Sequence, residues 1–318
     1  MTIRVYAGDR QNNFLDISNC VTGITISSSR IVKPGACTIN FSYKGDITIQ
    51  NGTLIKVIVD GKVLFRGYVF TVQPHETDYQ LSCFDQVRYL ENEDTVILEN
   101  VTASGILQSY IQKFGLNAGS IDNTSFIKIS IIELKKKITD ILNEVLLETT
   151  QAFGELYTIY DVDGFINLKN LRTLRSNIII SDKDNVIDYD FSRSINGNTF
   201  NRFKLVKQNK DAGTFESYVA QDTAKIAQWG LLQFVREVDS QYSEAQVNEL
   251  LTALPKLYGD EVVKLNTKVV GNIAIRAGSL VYVDLTKIKQ RKWCLVDQCN
   301  HDFSNSGHMM DLSLLGVS

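Results

Sequence analysis

The feature that most constrains this chain is an internal echo. Gly52-Thr53-Leu54-Ile55-Lys56-Val57-Ile58-Val59 is answered by Gly278-Ser279-Leu280-Val281-Tyr282-Val283-Asp284-Leu285. Each is followed by a hairpin, a second strand (Phe65 to Phe70; Trp293 to Gln298), a polar turn and a closing strand. The closing strands are Tyr79-Gln80-Leu81-Ser82-Cys83 and Met310-Asp311-Leu312-Ser313-Leu314. Short β-branched runs bounded by turn residues read as strands, so both stretches are β-meanders. On the residues alone, convergence of two ordinary meanders explains the echo as well as duplication does. Under duplication the chain holds two similar β units around a distinct middle, and three copies in a ring present six such units.

Turn and cap chemistry fills in the rest. Asp60-Gly61 is a two-residue hairpin turn, and Pro74 with the polar stretch to Asp78 makes the next connection. In the middle, Thr102 can cap a helix whose stripe is Ile106, Leu107, Tyr110, Ile111 and Phe114, with Gly115 just past its end. A second helical stripe runs through Leu134, Ile138, Ile141, Leu142, Val145 and Leu146. Leu156 to Tyr160 and Phe165 to Leu168 form a hairpin around Asp163-Gly164. Later, Phe200 to Gln208 and Thr214 to Gln221 pair around Lys210-Asp211-Ala212-Gly213. Ser243-Glu244-Ala245-Gln246 has the form of a capping box, opening a helix with Val247, Leu250, Leu251 and Leu254 on one face. Pro255 should disturb its last turn and Gly259 should stop it.

Composition narrows the function classes. At 318 residues and 44% hydrophobic, the chain is long enough for two or three packed domains. No stretch reaches ~20 apolar residues, and Met1-Thr2-Ile3-Arg4-Val5 lacks a signal-peptide run, which argues against a membrane span and Sec-type secretion. With 33 Lys+Arg against 36 Asp+Glu, the near-neutral charge argues against a dedicated nucleic-acid binder. The one dense basic run, Lys287, Lys289, Arg291 and Lys292, reads as a solvated hairpin tip or as a contact for an acidic partner surface. Five cysteines are odd in number and sparse, as in a protein made in a reducing cytoplasm. Cys37 and Cys83 alternate in phase with apolar neighbours and read as small buried hydrophobes.

Ser28-Ser29-Arg30, Lys33-Pro34-Gly35 and Gly45-Asp46 resemble the start of the XkdQ-type baseplate hub proteins of defective prophages, contractile-tailed phages and R-type tailocins. The likeness continues through Phe65-Arg66-Gly67-Tyr68-Val69-Phe70, Asp85-Gln86-Val87-Arg88-Tyr89-Leu90, Asn201-Arg202 and Tyr218-Val219-Ala220-Gln221-Asp222. Trp229-Gly230-Leu231-Leu232-Gln233, Ala277-Gly278-Ser279 and His301-Asp302-Phe303 extend it to the C-terminal region. The resemblance implies a homotrimer with two tube-like β-barrels per chain, capping the hexameric tail tube and carrying the trimeric spike. The expected fold is α+β, mainly β. Two tube-type antiparallel β-barrel domains (1–100 and 196–318) flank an inserted α+β domain (101–195), with a helical insertion at about 222–259. Arg30, Pro34 and Gly35 would shape a loop near a subunit contact, although Pro34-Gly35 reads equally as a plain turn. Asp85, Arg88, Asn201 and Arg202 are interface candidates whose simpler reading is salt bridging and loop pinning within a domain.

Chemistry has little raw material. Only three histidines occur, and no Gly-x-Ser-x-Gly elbow, Walker loop or His-Glu-x-x-His motif is present. Cys294, Cys299, His301 and His308 are the nearest thing to a metal set; His308 can approach His301 across a hairpin past Asn305-Ser306-Gly307, and two polar hairpin residues is the simpler reading. Asp161/Asp163 and Asp182/Asp184 fall in turns, where aspartate favours local hydrogen bonds. Tyr157, Tyr160 and Phe165 offer an aromatic platform, or simply pack a hairpin. The expectation is a non-enzymatic hub with no cofactor or metal, partnered by spike, tube or tube-initiator and other baseplate proteins. A tail-associated peptidoglycan hydrolase or a cell-wall-binding protein is the alternative.

Overall fold

The computed structural model describes all residues except 10, 12, 43–48, 75–77, 210–213, 305–306 and 317–318. The Gly45-Asp46 motif, the Lys210–Gly213 turn and the Asn305-Ser306 turn therefore lie outside the described residues. The chain opens with β1 (Ile3–Gly8), β2 (Phe14–Asp16), β3 (Val21–Ser29), β4 (Ala36–Phe41), β5 (Leu54–Val59), β6 (Lys62–Pro74) and β7 (Tyr79–Phe84). Next come β8 (Glu93–Val101), α1 (Ala103–Lys113), β9 (Ala118–Ile121), β10 (Lys128–Lys137), α2 (Ile138–Phe153), β11 (Tyr157–Val162) and β12 (Phe165–Asn170). Then follow β13 (Arg175–Ser181), β14 (Val186–Ser194), β15 (Arg202–Asn209), β16 (Thr214–Gln221), α3 (Thr223–Trp229), β17 (Gln233–Val238) and α4 (Glu244–Tyr258). β18 (Val262–Val270), β19 (Leu280–Leu285), β20 (Gln290–Ser304) and β21 (Gly307–Gly316) complete it.

The chain divides into two compact units. One gathers residues 1–146, 157–190 and 265–318; the other gathers 147–156 and 191–264. The first is dominated by a 13-stranded sheet whose path runs β14-β18-β21-β20-β3-β4-β7-β6-β5-β1-β2, with β19 on β20 and β13 on β19. Its chain order is repeated. β3, β4, β5, β6 and β7 lie in the order β3-β4-β7-β6-β5, and β14, β18, β19, β20 and β21 lie in the order β14-β18-β21-β20-β19.

Local chemistry explains the hairpins. Asp60 and Gly61 have φ of 47° and 79°, and Asp163 and Gly164 have 48° and 82°, the paired positive values that match a tight turn to strand twist. Alternation then selects the buried face. In β4, Cys37, Ile39 and Phe41 point inward; with Val5, Ile24, Ile26, Val57, Phe65, Leu81 and Cys83 they form one core. The repeat buries Leu265, Val281, Val283, Leu285, Val296, Leu312 and Leu314.

The fold is mainly β, as expected, but the β-barrels are not closed within the chain. Among the described residues the large sheet is open, ending at β14 and β2, and β13 joins β19 in parallel rather than antiparallel fashion. Leu134 also departs from expectation. It lies on β10, which pairs with β8 as a separate ribbon, and it is 81% exposed; the helix begins at Ile138. Helical spacing continued by chance across a strand-to-helix boundary.

In the second unit, β16, β15 and β17 form a three-stranded sheet. Phe203 and Leu205 of that sheet pack with Val247, Leu250 and Leu254 of α4. The Ser243 side chain accepts from the Gln246 amide while the Gln246 side chain accepts from the Ser243 amide, so the capping box forms. Pro255 remains inside the helix, and Gly259 caps it in a right-handed conformation.

Gly67, in the middle of β6, is held by close packing. A Cβ there would lie 2.3 Å from the Phe84 carbonyl oxygen and 2.6 Å from the Phe65 ring. Gly67→Ala is expected to cost about 1–3 kcal/mol through overpacking, read as a lower denaturation midpoint. An unchanged midpoint would show that β6 and β7 can part here at no cost.

Candidate functional site

The two β units meet edge to edge. β20 pairs antiparallel with β3, from Gln298↔Ser29 to Phe303↔Ile24. At the end of this ladder the Arg30 amide donates to the Asp297 carbonyl at 2.8 Å, and Arg30 Nε meets Asp297 Oδ1 at 2.9 Å. Both side chains are about one-quarter exposed, so the ion pair is partly shielded from solvent screening. Ala277 N donates to Ser28 Oγ at 3.2 Å, and Thr158 Oγ1 donates to the Arg30 carbonyl at 3.0 Å. Arg30 is thus fixed at the joint from three directions, through its amide, its guanidinium and its carbonyl.

Beside the joint, a cavity of about 220 Å³ is lined in part by Arg66, Asp85, Tyr160, Asp161, Arg276 and His301. Asp85 caps a short helical turn over Gln86–Glu91 and accepts from Val87 N at 3.0 Å and Gly35 N at 2.9 Å. Its own amide donates to the Gly35 carbonyl at 3.0 Å, so Gly35 and Asp85 pin each other reciprocally. A Cβ at Gly35 would lie 2.5 Å from Asp85 Oδ2, which explains a glycine there. Burial raises the Asp85 carboxyl well above its ordinary range, and the nearby Asp161 raises it further. Asp161 is pushed up to about 6 by burial, although Gly164 N donates to it at 2.7 Å. The Arg276 guanidinium lies 3.0 Å from the Tyr160 ring centroid, and burial lowers it to about 10. Asp163 carries the remaining charge contacts, to Lys56 at 3.2 Å and Arg66 at 3.6 Å. The carboxylates are held by backbone donors and neighbouring cations; the arrangement fastens loops.

His301 is buried on β20, and Cys299 Sγ lies 3.4 Å from its Nε2. The Ile275 carbonyl can only accept, so His301 Nε2, 3.0 Å away, carries the proton. His301 Nδ1 then accepts from His308 Nε2 at 3.0 Å, and Phe303 stacks on His308 with ring centroids 4.1 Å apart. Burial holds His301 down at about 4, with the His308 charge as the second cause. Cys294 is also buried.

The other sequence candidates are dispersed. Arg88 pairs with Glu91 at 2.8 Å and lies over Phe70. Pro34 is half-buried, next to the pinned Gly35. Asn201 is buried; its side chain donates to the Gly230 carbonyl at 2.7 Å and accepts from Leu232 N at 2.8 Å, while the Arg202 amide donates to Leu232 O. Lys287 and Lys289 stand exposed at the β19–β20 turn, with Lys292 half-buried beyond it. Arg291 pairs with Asp284 at 2.8 Å. Tyr157 is buried and Phe165 half-exposed, so the three aromatics do not present one platform. Arg276 and Asp297 were not legible as site residues: a single Arg or Asp flanking a strand carries no periodic or spacing signal.

Over residues 24–315 the sequence matches the YqbQ-like family. The chain belongs to the YqbQ-like family. One relative, XkdQ of the phage-like element PBSX in Bacillus subtilis, is 27% identical over 278 residues, covering 86% of this chain and 85% of XkdQ. Two solved structures share the fold. The 43 kDa tail protein of prophage MuSo2 from Shewanella oneidensis has a TM-score of 0.72 at 15% identity, covering 98% of this chain and 97% of that one. The Escherichia coli c3393 protein, a type VI secretion component similar in structure to the T4 tail proteins gp27 and gp5, has a TM-score of 0.62 at 8% identity. It covers 100% of this chain and 77% of that one. The motif resemblance read from the sequence therefore leads to the right family.

The buried acid and the buried imidazole of this YqbQ-like chain act oppositely on stability between pH 4 and 6. Asp161, raised in the folded state, contributes stability that is full below its unfolded pKa and lost as pH rises through about 6. His301, lowered in the folded state, contributes stability that is lost as pH falls from its unfolded value toward about 4. Asp161→Asn removes the first effect, so its thermal midpoint should fall more steeply on acidification than that of the parent chain. Parallel midpoint-against-pH curves for the two proteins would rule out the Asp161 contribution.

Proposed function

We propose that this chain is a structural hub of a phage-type contractile-tail baseplate, in a phage, prophage or R-type tailocin. The observation that carries the reading is the repeated strand order with its edge-to-edge joint. A chain holding two similar β units side by side contributes two sectors to a ring, so three chains make six sectors. Such a ring meets a hexameric tube on one face and a trimeric spike on the other. Residues 1–100 and 196–318, together with β14, then supply the tube-like strands that become barrel wall only in the ring. Residues 101–195 serve as the middle domain between them.

Similarity to XkdQ and to solved tail proteins supports the tail role and a non-enzymatic one. Among the described residues no helix is long and apolar enough to cross a membrane. The partners in this reading are two further copies, the spike, tube or tube-initiator proteins and other baseplate proteins. The protein is made in the bacterial cytoplasm and built into the particle. Ring interfaces of this obligate kind commonly bury more than ~2,000 Å². The exposed Lys287 and Lys289 face whichever acidic partner surface abuts that hairpin.

Cryo-microscopy of assembled particles is expected to find three copies around the tail axis at the spike end of the tube. Density for this chain away from the axis overturns the reading. A peptidoglycan zymogram of the purified chain is expected to stay blank, and a lytic band favours the hydrolase alternative.

A further inference from the structure

Over Tyr68–Pro74 of β6 and Leu295–His301 of β20 the two β units correspond residue by residue. On β6 the ladder to β7 slips by one residue between Val69↔Cys83 and Thr71↔Ser82; on β20 the ladder to β21 slips between Val296↔Leu314 and Gln298↔Ser313. On the other side Leu54↔Tyr68 answers to Leu280↔Leu295. Thr71, Val72, Gln73 and Pro74 therefore occupy the places of Gln298, Cys299, Asn300 and His301.

β3 and β14 correspond as well. Just before β3, the Cys20 carbonyl accepts from Ser42 N at 2.7 Å; just before β14, the Asn185 carbonyl accepts from Val270 N at 2.9 Å. Counting forward, Ile26-Ser27-Ser28-Ser29 falls on Phe191-Ser192-Arg193-Ser194. The burial alternation agrees. Ile24 and Ile26 are buried in β3, and their counterparts Tyr189 and Phe191 are half-buried in β14 with exposed neighbours.

Inside the chain, residues 298–303 of β20 are joined to β3. Their counterparts, the edge of Thr71–Pro74 of β6 facing away from β7 and the outer edge of β14, have no strand beside them among the described residues. An uncovered strand edge is a template for another strand, and here the two open edges are the two halves of a joint already made once. On the ring reading above, we propose that the outer edge of β14 in one copy pairs antiparallel with Thr71–Pro74 of β6 in the next. The register is that of the internal joint: Thr71↔Ser194, Val72↔Arg193, Gln73↔Ser192 and Pro74↔Phe191. The two edges differ, so the contact is head-to-tail and propagates around a ring instead of closing a dimer. One detail distinguishes the outer joint. Phe70 and Ile195 stand where Asp297 and Arg30 stand, so an apolar contact replaces the ion pair. Added salt should leave the outer joint intact.

Paired cysteines test the register. Gln73 and Ser192 are exposed, and opposed strand residues place Cβ atoms about 4.5–5.5 Å apart, close enough to bridge. At a concentration where mass measurement shows self-association, the full chain carrying Gln73→Cys and Ser192→Cys should give a ladder of disulfide-linked copies after mild oxidation. Gln73→Cys mixed with Ser192→Cys on separate chains should give linked dimers only. Each single variant alone, and Gln73→Cys combined with Asp190→Cys two residues out of register, should link several-fold less. Hydrogen exchange gives a readout without mutation: the amides of residues 71–73 should become protected as the parent chain associates. Association without in-register linkage or protection overturns the edge pairing and leaves the hub reading standing. A chain that stays monomeric at every concentration overturns the edge pairing as a property of the isolated protein; a tail-axis position in particles would still support the hub reading.

Discussion

The rest of this molecule depends on the antiparallel pairing of β20 with β3. Backbone hydrogen bonds along that edge join strands 270 residues apart in the chain, roughly, and convert two meanders into one sheet. Neither meander could leave such an edge bare without offering it to other chains. The Arg30–Asp297 pair sets where the ladder ends, because the same two residues also share a backbone bond. Everything proposed about assembly follows from meeting this joint once inside the chain and finding both of its halves again, open, elsewhere.

Around the joint, polar groups are buried to hold loops. The Gly35–Asp85 pin ties the segment after β3 to the turn after β7 through bonds in both directions. The β11–β12 hairpin enters the same cavity with Asp161, Asp163 and Tyr160, while Arg276 approaches from the segment before β19. Four stretches of chain thus converge where the two β units touch. Raised carboxyls and a lowered imidazole are the electrostatic cost of that convergence, and local backbone donors offset part of it. Perturbed groups often mark catalysis. Here their oxygens face backbone amides within the fold, which is the signature of a fastening.

Much of the local structure was legible. The Asp-Gly turns, the Thr102 cap, the Ser243 capping box and the alternating Cys37-x-Ile39-x-Phe41 all form as their chemistry dictates. Leu134 was misread because a 3.6-residue stripe can run by chance across a strand end, and periodicity does not see the boundary. His301 and His308 meet across their hairpin, as the spacing allowed. Asp297 and Arg276 were invisible as site residues, since their roles come from partners far away in sequence.

By itself, the sequence determined most of the hairpins and turns, the buried faces of their strands and an echo between two meanders, because side-chain periodicity and turn chemistry act over a few residues. It also carried the family, through motifs spread along nearly the whole chain. Only the tertiary structure decided that the two units share one open sheet, which edges meet and which are left over. Edge pairing is made by peptide N–H and C=O groups that almost every residue possesses, so no side-chain pattern announces where a strand will find its neighbour.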